Sequence, residues 1–520
     1  MLHPPVVSRI IVGLQSHRVF VECQVSGGLP STTIVGLPEG AVREARDRIK
    51  AAIQFAGFAY PDGRVVINLA PSHLNKSGSC LDLAMALAIL ASTAQINPAQ
   101  IPRFEFIGEL GLFAELRDVP GVLATAIGAA ADRRMLIAPR ESRHQLTLLA
   151  KDTYLTADNL AQVVTILQAP REDSAHPPPS LRLAHDADST ARKSPDAKVI
   201  DAKLNQTSNL VVGQLTAKRA NVIAAAGGHH LLMVGPPGTG KTMLARSFCD
   251  LLPDLSETEA LEVATIYGVT GHARKDILRP PFRDPHHTAS PQALLGGGKE
   301  PQPGEAVLAH HGVLFLDELP HFKPSLLNAL REPIETGEVV ISRTRYQARF
   351  PCRFQLIAAM NPCPAGRVCK PDACRCAPAQ VASYQGRISG PILDRIDIHV
   401  AVEQVPQRLL NAAAQHTTNA ATDREQVARA RVLQTERQGG LNAAMSLADL
   451  NQHMETATGD LAEFHNLSDR LDLSARSYHK IWRLARTIAD LTQSEHIDAA
   501  HLLEASAYRT MDWEDRLGVG

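Results

Sequence analysis

The sequence predicts an α/β multidomain protein with a central parallel sheet and a helical C-terminal region. Three observations carry this. Between about residues 204 and 403, the apolar runs Leu231–Val234, Val313–Leu316 and 354–359 are short and unbroken and alternate with helix-compatible stretches. That is the pattern of parallel strands buried on both faces. A glycine-rich octapeptide, GPPGTGKT at 235–242, directly follows the first run and precedes the helix-compatible run 243–248. From about residue 404 onward the apolar spacing is almost entirely helical, most clearly over 424–444, Ala475–Leu491 and 497–508.

Composition narrows the class. A chain of 520 residues, 44% hydrophobic and 21% charged, is long enough for two to four globular domains. A formal net charge of −1 excludes a globally basic nucleic-acid binder but leaves room for a local basic patch. No run approaches the roughly 18 uninterrupted apolar residues of a membrane span. The first 23 residues alternate like a strand and lack a charged-then-apolar export signal, so the expected location is cytoplasmic. Eight cysteines in this length do not read as a disulfide scaffold, and four of them crowd into 363–376.

Taken in order, residues 1–168 alternate β-rich runs (18–22, 65–69, 104–107) with Ala-rich helices over 39–56 and 81–93, a compact α/β domain. Residues 169–203 turn polar and proline-bearing and read as a flexible linker. Residues 204–403 form the sheet domain. Residues 404–520 form a helical domain, a natural lid.

The chemistry-bearing residues lie at strand ends. In the octapeptide, Gly235, Pro236, Pro237, Gly238, Thr239 and Gly240 form the nucleotide-binding loop, whose glycines let backbone N–H groups converge on phosphate oxygens at a helix N-terminus. Lys241 would reach the β- and γ-phosphates and the Thr242 hydroxyl would hold Mg²⁺, so ATP and Mg²⁺ are the expected ligands. The strand Val313–Leu316 ends in Asp317 and Glu318. Asp317 would bind Mg²⁺ through water and Glu318 would polarise the attacking water. Two ordinary strand-end acids are the bland alternative, weakened by the phosphate loop upstream. A third strand ends in Met360, Asn361 and Pro362, where the amide would orient water or simply make an Asn-Pro turn. Arg395 would act as a finger on a neighbouring subunit's transition state, or else pair with Asp394 or Asp397. Arg387 is a rival for the same role.

The order and spacing of these elements resemble those of AAA+ ATPases. Longer strings, RDPHHTAS at 283–290, PGE at 303–305, GVLFLDELP at 312–320, ISR at 341–343 and ARSYHKI at 475–481, are similar to the ComM/YifB family of magnesium chelatase-like AAA+ proteins. The resemblance covers nearly all the chain outside the linker. It implies that Asn361 is sensor 1, Arg395 the trans-acting finger and Arg476 sensor 2, and that 251–308 carries an extra helical insert. It also implies a Lon-protease-like N-terminal domain. There Cys80 occupies the place of the Lon nucleophile beside Ser79, but 116–122 has no lysine to act as base, so the proteolytic function is expected to be lost. Ser77 or Ser79 reads more simply as the cap of the following helix.

Cys363, Cys369, Cys374 and Cys376 would satisfy tetrahedral zinc, although their spacing departs from the usual pairs; reduced thiols are the alternative. The pairs His286–His287 and His310–His311 lack acids or thiols at ligand spacing and are assigned no metal. The resemblance further implies a β-hairpin before sensor 1. Residues 339–376 hold seven bases, among them Arg343, Arg345 and Arg349, against the single acid Asp372. In a ring, such hairpins would line a positive channel for nucleic-acid backbone. The expected protein is an ATP-driven homo-hexameric motor on single-stranded and branched DNA; the family resemblance implies that it is a branch-migration helicase of natural transformation, with recombination proteins as further partners. The rivals are an ATP-dependent metal-insertion subunit, a protease, and a protein-remodelling regulatory ATPase.

Overall fold

Alternating β-branched residues pair at the N-terminus into a four-stranded sheet. Its order is Val6–Val12, Gln15–Ser26, Arg64–Ala70, Ser31–Val35, with the last pair parallel and the others antiparallel. The computed structural model describes residues 4–37, 39–74, 76, 79–169, 211–271, 274, 276–298, 301–343, 346–366, 374, 376–405, 420–455, 457, 461–470 and 473–509. From position 170 on, the expected linker lies outside these residues. Helices Glu39–Phe55 and Asp82–Ser92 appear within a residue or so of their expected bounds. Strands Phe104–Phe106, Met135–Pro139 and Tyr154–Ala157 make a second, parallel sheet.

The central sheet is fully parallel, ordered Phe282–Arg283, Val313–Leu316, Gln355–Met360, Leu231–Val234, Ile398–Ala401. Successive residues go to opposite faces, and both faces are covered. Leu231, Met233, Phe315 and Ile357 join one core, while Leu232, Val234, Leu316 and Ala358 join another. This double burial is why the strands read as unbroken apolar runs. The segment 251–308 is not wholly a helical insert. It supplies the helix Glu257–Val269, opened by a Ser256–Glu259 capping box, but also the edge strand Phe282–Arg283.

The C-terminal region is helical where described: Ala420–Gln438, Leu447–Glu455, Ala462–Arg470, Ala475–Leu491 and Ala499–Ala507. The helix expected over 424–444 stops at Gln438, because Gly439 takes a left-handed φ of +72° and its N–H closes on Thr435 O at 2.8 Å. Val427, Ile481, Trp482 and Ile488 pack with Leu215–Gly227 onto one sheet face, so these helices form an outer layer over the core. The N-terminal domain meets the opposite side. Gly121 N–H donates to Gly268 O at 3.0 Å, and Leu261 and Ala264 enter the N-terminal core around Val122.

Folding of the region built on the central parallel sheet should be acid-sensitive. Burial lowers His230 and His310 to about 4 and His399 to about 3. An unfolded histidine titrates near pH 6.5, so between about pH 4 and 6.5 the unfolded chain binds more protons. Stability is therefore lost as pH falls through this window, by about 2 kcal/mol per histidine at pH 5. Urea unfolding at pH 7.5 and 5 reads this; an unchanged midpoint refutes it.

Candidate functional site

The parallel register brings three strand ends to one edge. Val234 lies opposite Met360, and Leu316 opposite Ala358, so Gly235, Asp317 and Asn361 emerge together. Gly235 passes so close to its neighbour strand that a Cβ there would lie 2.1 Å from Val402 O, which no side chain tolerates. Gly240, with φ +90°, turns the loop into the helix Lys241–Leu251, whose first N–H groups are left without helical partners. Thr239 Oγ1 donates to Pro236 O at 2.9 Å and stiffens the loop.

The polar groups of this edge form two adjacent hydrogen-bonded sets, one around Lys241 and one around Asp317. Lys241 Nζ donates to Gly235 O at 2.6 Å, Pro236 O at 2.9 Å and Asn361 Oδ1 at 3.1 Å. Burial lowers the Lys241 pKa, and Asp317 and Glu318 oppose that shift. Thr242 Oγ1 donates to Asp317 Oδ2 at 2.9 Å, while Asp317 Oδ1 accepts from Glu318 N–H at 2.9 Å. A hydroxyl and a carboxylate oxygen held this close are a hard-oxygen pair that fits Mg²⁺. Glu318 has a left-handed φ of +54° and an exposed carboxylate, 3.5 Å from His287 Nδ1. Sequence reasoning missed this His287 contact; the string at 283–290 was its only signal.

Arg395 and Arg476 converge on a single carboxylate that the sequence did not mark. Arg395 Nη2 pairs with Glu335 Oε1, and Arg476 Nη2 reaches the same oxygen at 3.3 Å. Arg395 Nη1 also donates to Pro391 O at 2.8 Å, leaving its side chain 8% exposed. Neither Asp394 nor Asp397 is its partner. Asp397 instead takes Lys480 at 2.7 Å and His229 at 3.4 Å. Burial alone would raise the Asp397 carboxyl, but Lys480 and His229 outweigh it and hold it well below the usual range. Among the described residues neither Arg395 nor Arg476 bonds to the phosphate loop, and Arg387 is exposed.

The hairpin pairs Glu338–Arg343 with Tyr346–Pro351, Arg343 standing opposite Tyr346 and Val340 opposite Arg349. Val339, Ile341, Ala348 and Phe350 are buried on one face, and a Cβ at Gly13 of the N-terminal domain would lie 2.9 Å from Ala348 Cβ. Arg349 projects from the other face, its guanidinium 3.9 Å from exposed Glu338, a pairing worth little in water. Arg345 lies outside the described residues.

Cys363, Cys374 and Cys376 gather with their sulfurs within 4.8 Å of one another; Cys369 lies outside the described residues. The His310–His311 pair does have an acid nearby in space: Glu262 Oε2 lies 3.0 and 2.7 Å from the two Nε2 atoms. His310 Nδ1 accepts from Arg353 N–H at 3.0 Å, so its Nε2 carries the proton and donates to Glu262. The pair clamps the helix Glu257–Val269 to the strand at Val313.

Among the described residues, Cys80 is not an activated nucleophile. Burial pushes the Cys80 thiol up to about 12, with Asp82 adding to the shift. Ser79 Oγ bonds to Glu109 and does not cap the helix Asp82–Ser92, whose N-cap Leu81 makes no side-chain cap bond. Ser77 lies outside the described residues.

Comparison with known proteins adds three family matches. Residues 208–410 match "Magnesium chelatase, subunit ChlI", 21–142 match "Subunit ChlI of Mg-chelatase", and 417–509 match "Magnesium chelatase, subunit ChlI C-terminal". The chain is 41% identical to the uncharacterized protein YifB of Escherichia coli, over 97% of this chain and 96% of that one. It is 40% identical to the competence protein ComM of Haemophilus influenzae, over 97% of each. The magnesium-chelatase 38 kDa subunit of Rhodobacter capsulatus is 27% identical over 33% of this chain and 55% of its own length.

Proposed function

The chain belongs to the ComM/YifB family of magnesium chelatase-like AAA+ proteins, and on that premise we propose that it is an ATP-hydrolysing hexameric motor that acts on DNA. The observation that carries this reading is the single edge where Lys241 is hydrogen-bonded to Asn361 and, beside it, Thr242 to Asp317. Lys241 binds phosphate oxygens by exchanging its carbonyl partners for them. Thr242 and Asp317 would hold Mg²⁺, which would supply positive charge to neutralise the phosphates. Asn361 orients and Glu318 polarises the attacking water. Arg395 and Arg476 leave Glu335 to contact phosphate, Arg395 in the adjacent subunit and Arg476 in its own. Glu335 lies just before the hairpin strand Glu338–Arg343, so releasing it ties phosphate contact to hairpin position.

DNA is the proposed track because the hairpin turns Arg349 outward and the sequence adds Arg343 and Arg345 near its tip. The near full-length relative named for competence supports a role in natural transformation; branch migration during integration of single strands is the activity proposed for that role. Recombination proteins would then be its partners. The chelatase family descriptions favour a second reading, a metal-insertion ATPase subunit. ATP turnover with and without single-stranded and forked DNA separates them. Stimulation by DNA is expected, and Arg349→Glu should weaken apparent DNA affinity about tenfold. Turnover indifferent to every DNA would sink the DNA reading.

A further inference from the structure

We infer that Cys363, Cys374 and Cys376 bind a structural Zn²⁺ that clasps the sensor-1 turn to the helix Pro378–Gln385. The ligand sulfurs of all three cysteines lie within 4.8 Å of one another. A tetrahedral centre with Zn–S bonds of about 2.3 Å sets its sulfurs about 3.8 Å apart, compatible with that cluster. Burial of apolar groups does not explain the convergence. The local core consists of Cys363 and Val381, with Cys374 and Cys376 packed against them. The segment 363–376 offers Val368 as its one large aliphatic residue, and it carries Arg367, Lys370 and Arg375 against Asp372. On binding, each thiol gives its proton to solvent and a Zn–S bond forms.

The position gives the clasp a task. Cys363 follows Asn361 by two residues, and Cys376 precedes the helix Pro378–Gln385 by two. Gln385 Nε2 already donates to Pro362 O at 3.0 Å across the same gap. The Asn361 backbone N–H bonds to the Tyr384 hydroxyl, whose pKa burial pushes up to about 12. A Cβ at Gly366 would lie 3.1 Å from the Pro237 ring and 3.6 Å from Asn361 Nδ2, so the cysteine-bearing turn rests on the phosphate loop. The metal thus positions Asn361 and Pro237. This role for Asn361 rests on the proposed ATPase reading, whereas metal content does not.

The test is elemental analysis of the full chain purified without chelator, together with Co²⁺ substitution. About one zinc per chain and a thiolate-to-Co²⁺ charge-transfer band are expected. Cys374→Ser and Cys376→Ser should each lower zinc at least fivefold, while Cys374→His, which keeps a zinc ligand, should restore it. Zinc below about a tenth per chain after Zn²⁺ supplementation, iron in its place, or serine variants with full zinc would overturn the proposal. Loss of zinc with unchanged nucleotide turnover would overturn the positioning role.

Discussion

Arg395→Ala should lower ATP turnover by about 10³-fold or more while leaving nucleotide binding intact. Within one chain the Arg395 guanidinium is held by Glu335 and Pro391 O, and it has no bond to Lys241, Asp317 or Glu318 among the described residues. Its positive charge is therefore spare for a transition state only after exchange away from Glu335. A finger acts on charge that develops during transfer, so its loss falls on turnover rather than on affinity. Mixing distinguishes action across subunits from action within one. Rings assembled from Arg395→Ala and Lys241→Ala chains contain interfaces with an intact loop facing an intact finger, and should regain activity. No regain would place Arg395 in its own subunit's site. Normal turnover in Arg395→Ala alone would pass the role to Arg387.

Glu318→Gln should still bind ATP but slow hydrolysis by about 10²- to 10⁴-fold. The amide keeps the size of the side chain and the left-handed backbone at φ +54°, so the fold is preserved. What it loses is the negative charge that draws a proton from water. Lys241→Ala fails earlier, at binding, because it removes the ammonium now bonded to Gly235 O, Pro236 O and Asn361 Oδ1. Fluorescent-nucleotide titration beside phosphate release separates the two variants. Equal loss of binding in both would mean that Glu318 supports the loop rather than the chemistry.

Much of the candidate site was legible in the sequence because it is local. Strands Leu231–Val234 and Val313–Leu316 and the helix Ala475–Leu491 keep their expected bounds, since unbroken apolar runs and heptad-like spacing report burial directly. The phosphate loop was legible for the same reason: its glycines and Lys241 are consecutive. The edge strand Phe282–Arg283 was not, because two residues carry no periodicity and pair only with a distant partner at Val313. Ser79 looked like a helix cap by proximity, yet its hydroxyl found Glu109, thirty positions away.

The sequence by itself determined the phosphate loop, the strand-end acids, Asn361 and the alternation of strands and helices, since each depends on neighbouring residues and backbone stereochemistry. The tertiary structure alone decided which distant charges meet. It gave Arg395 and Arg476 to Glu335, Asp397 to Lys480 and His229, and Glu262 to His310 and His311. A carboxylate can pair with any base that the fold brings within about 4 Å, and sequence spacing does not encode that distance.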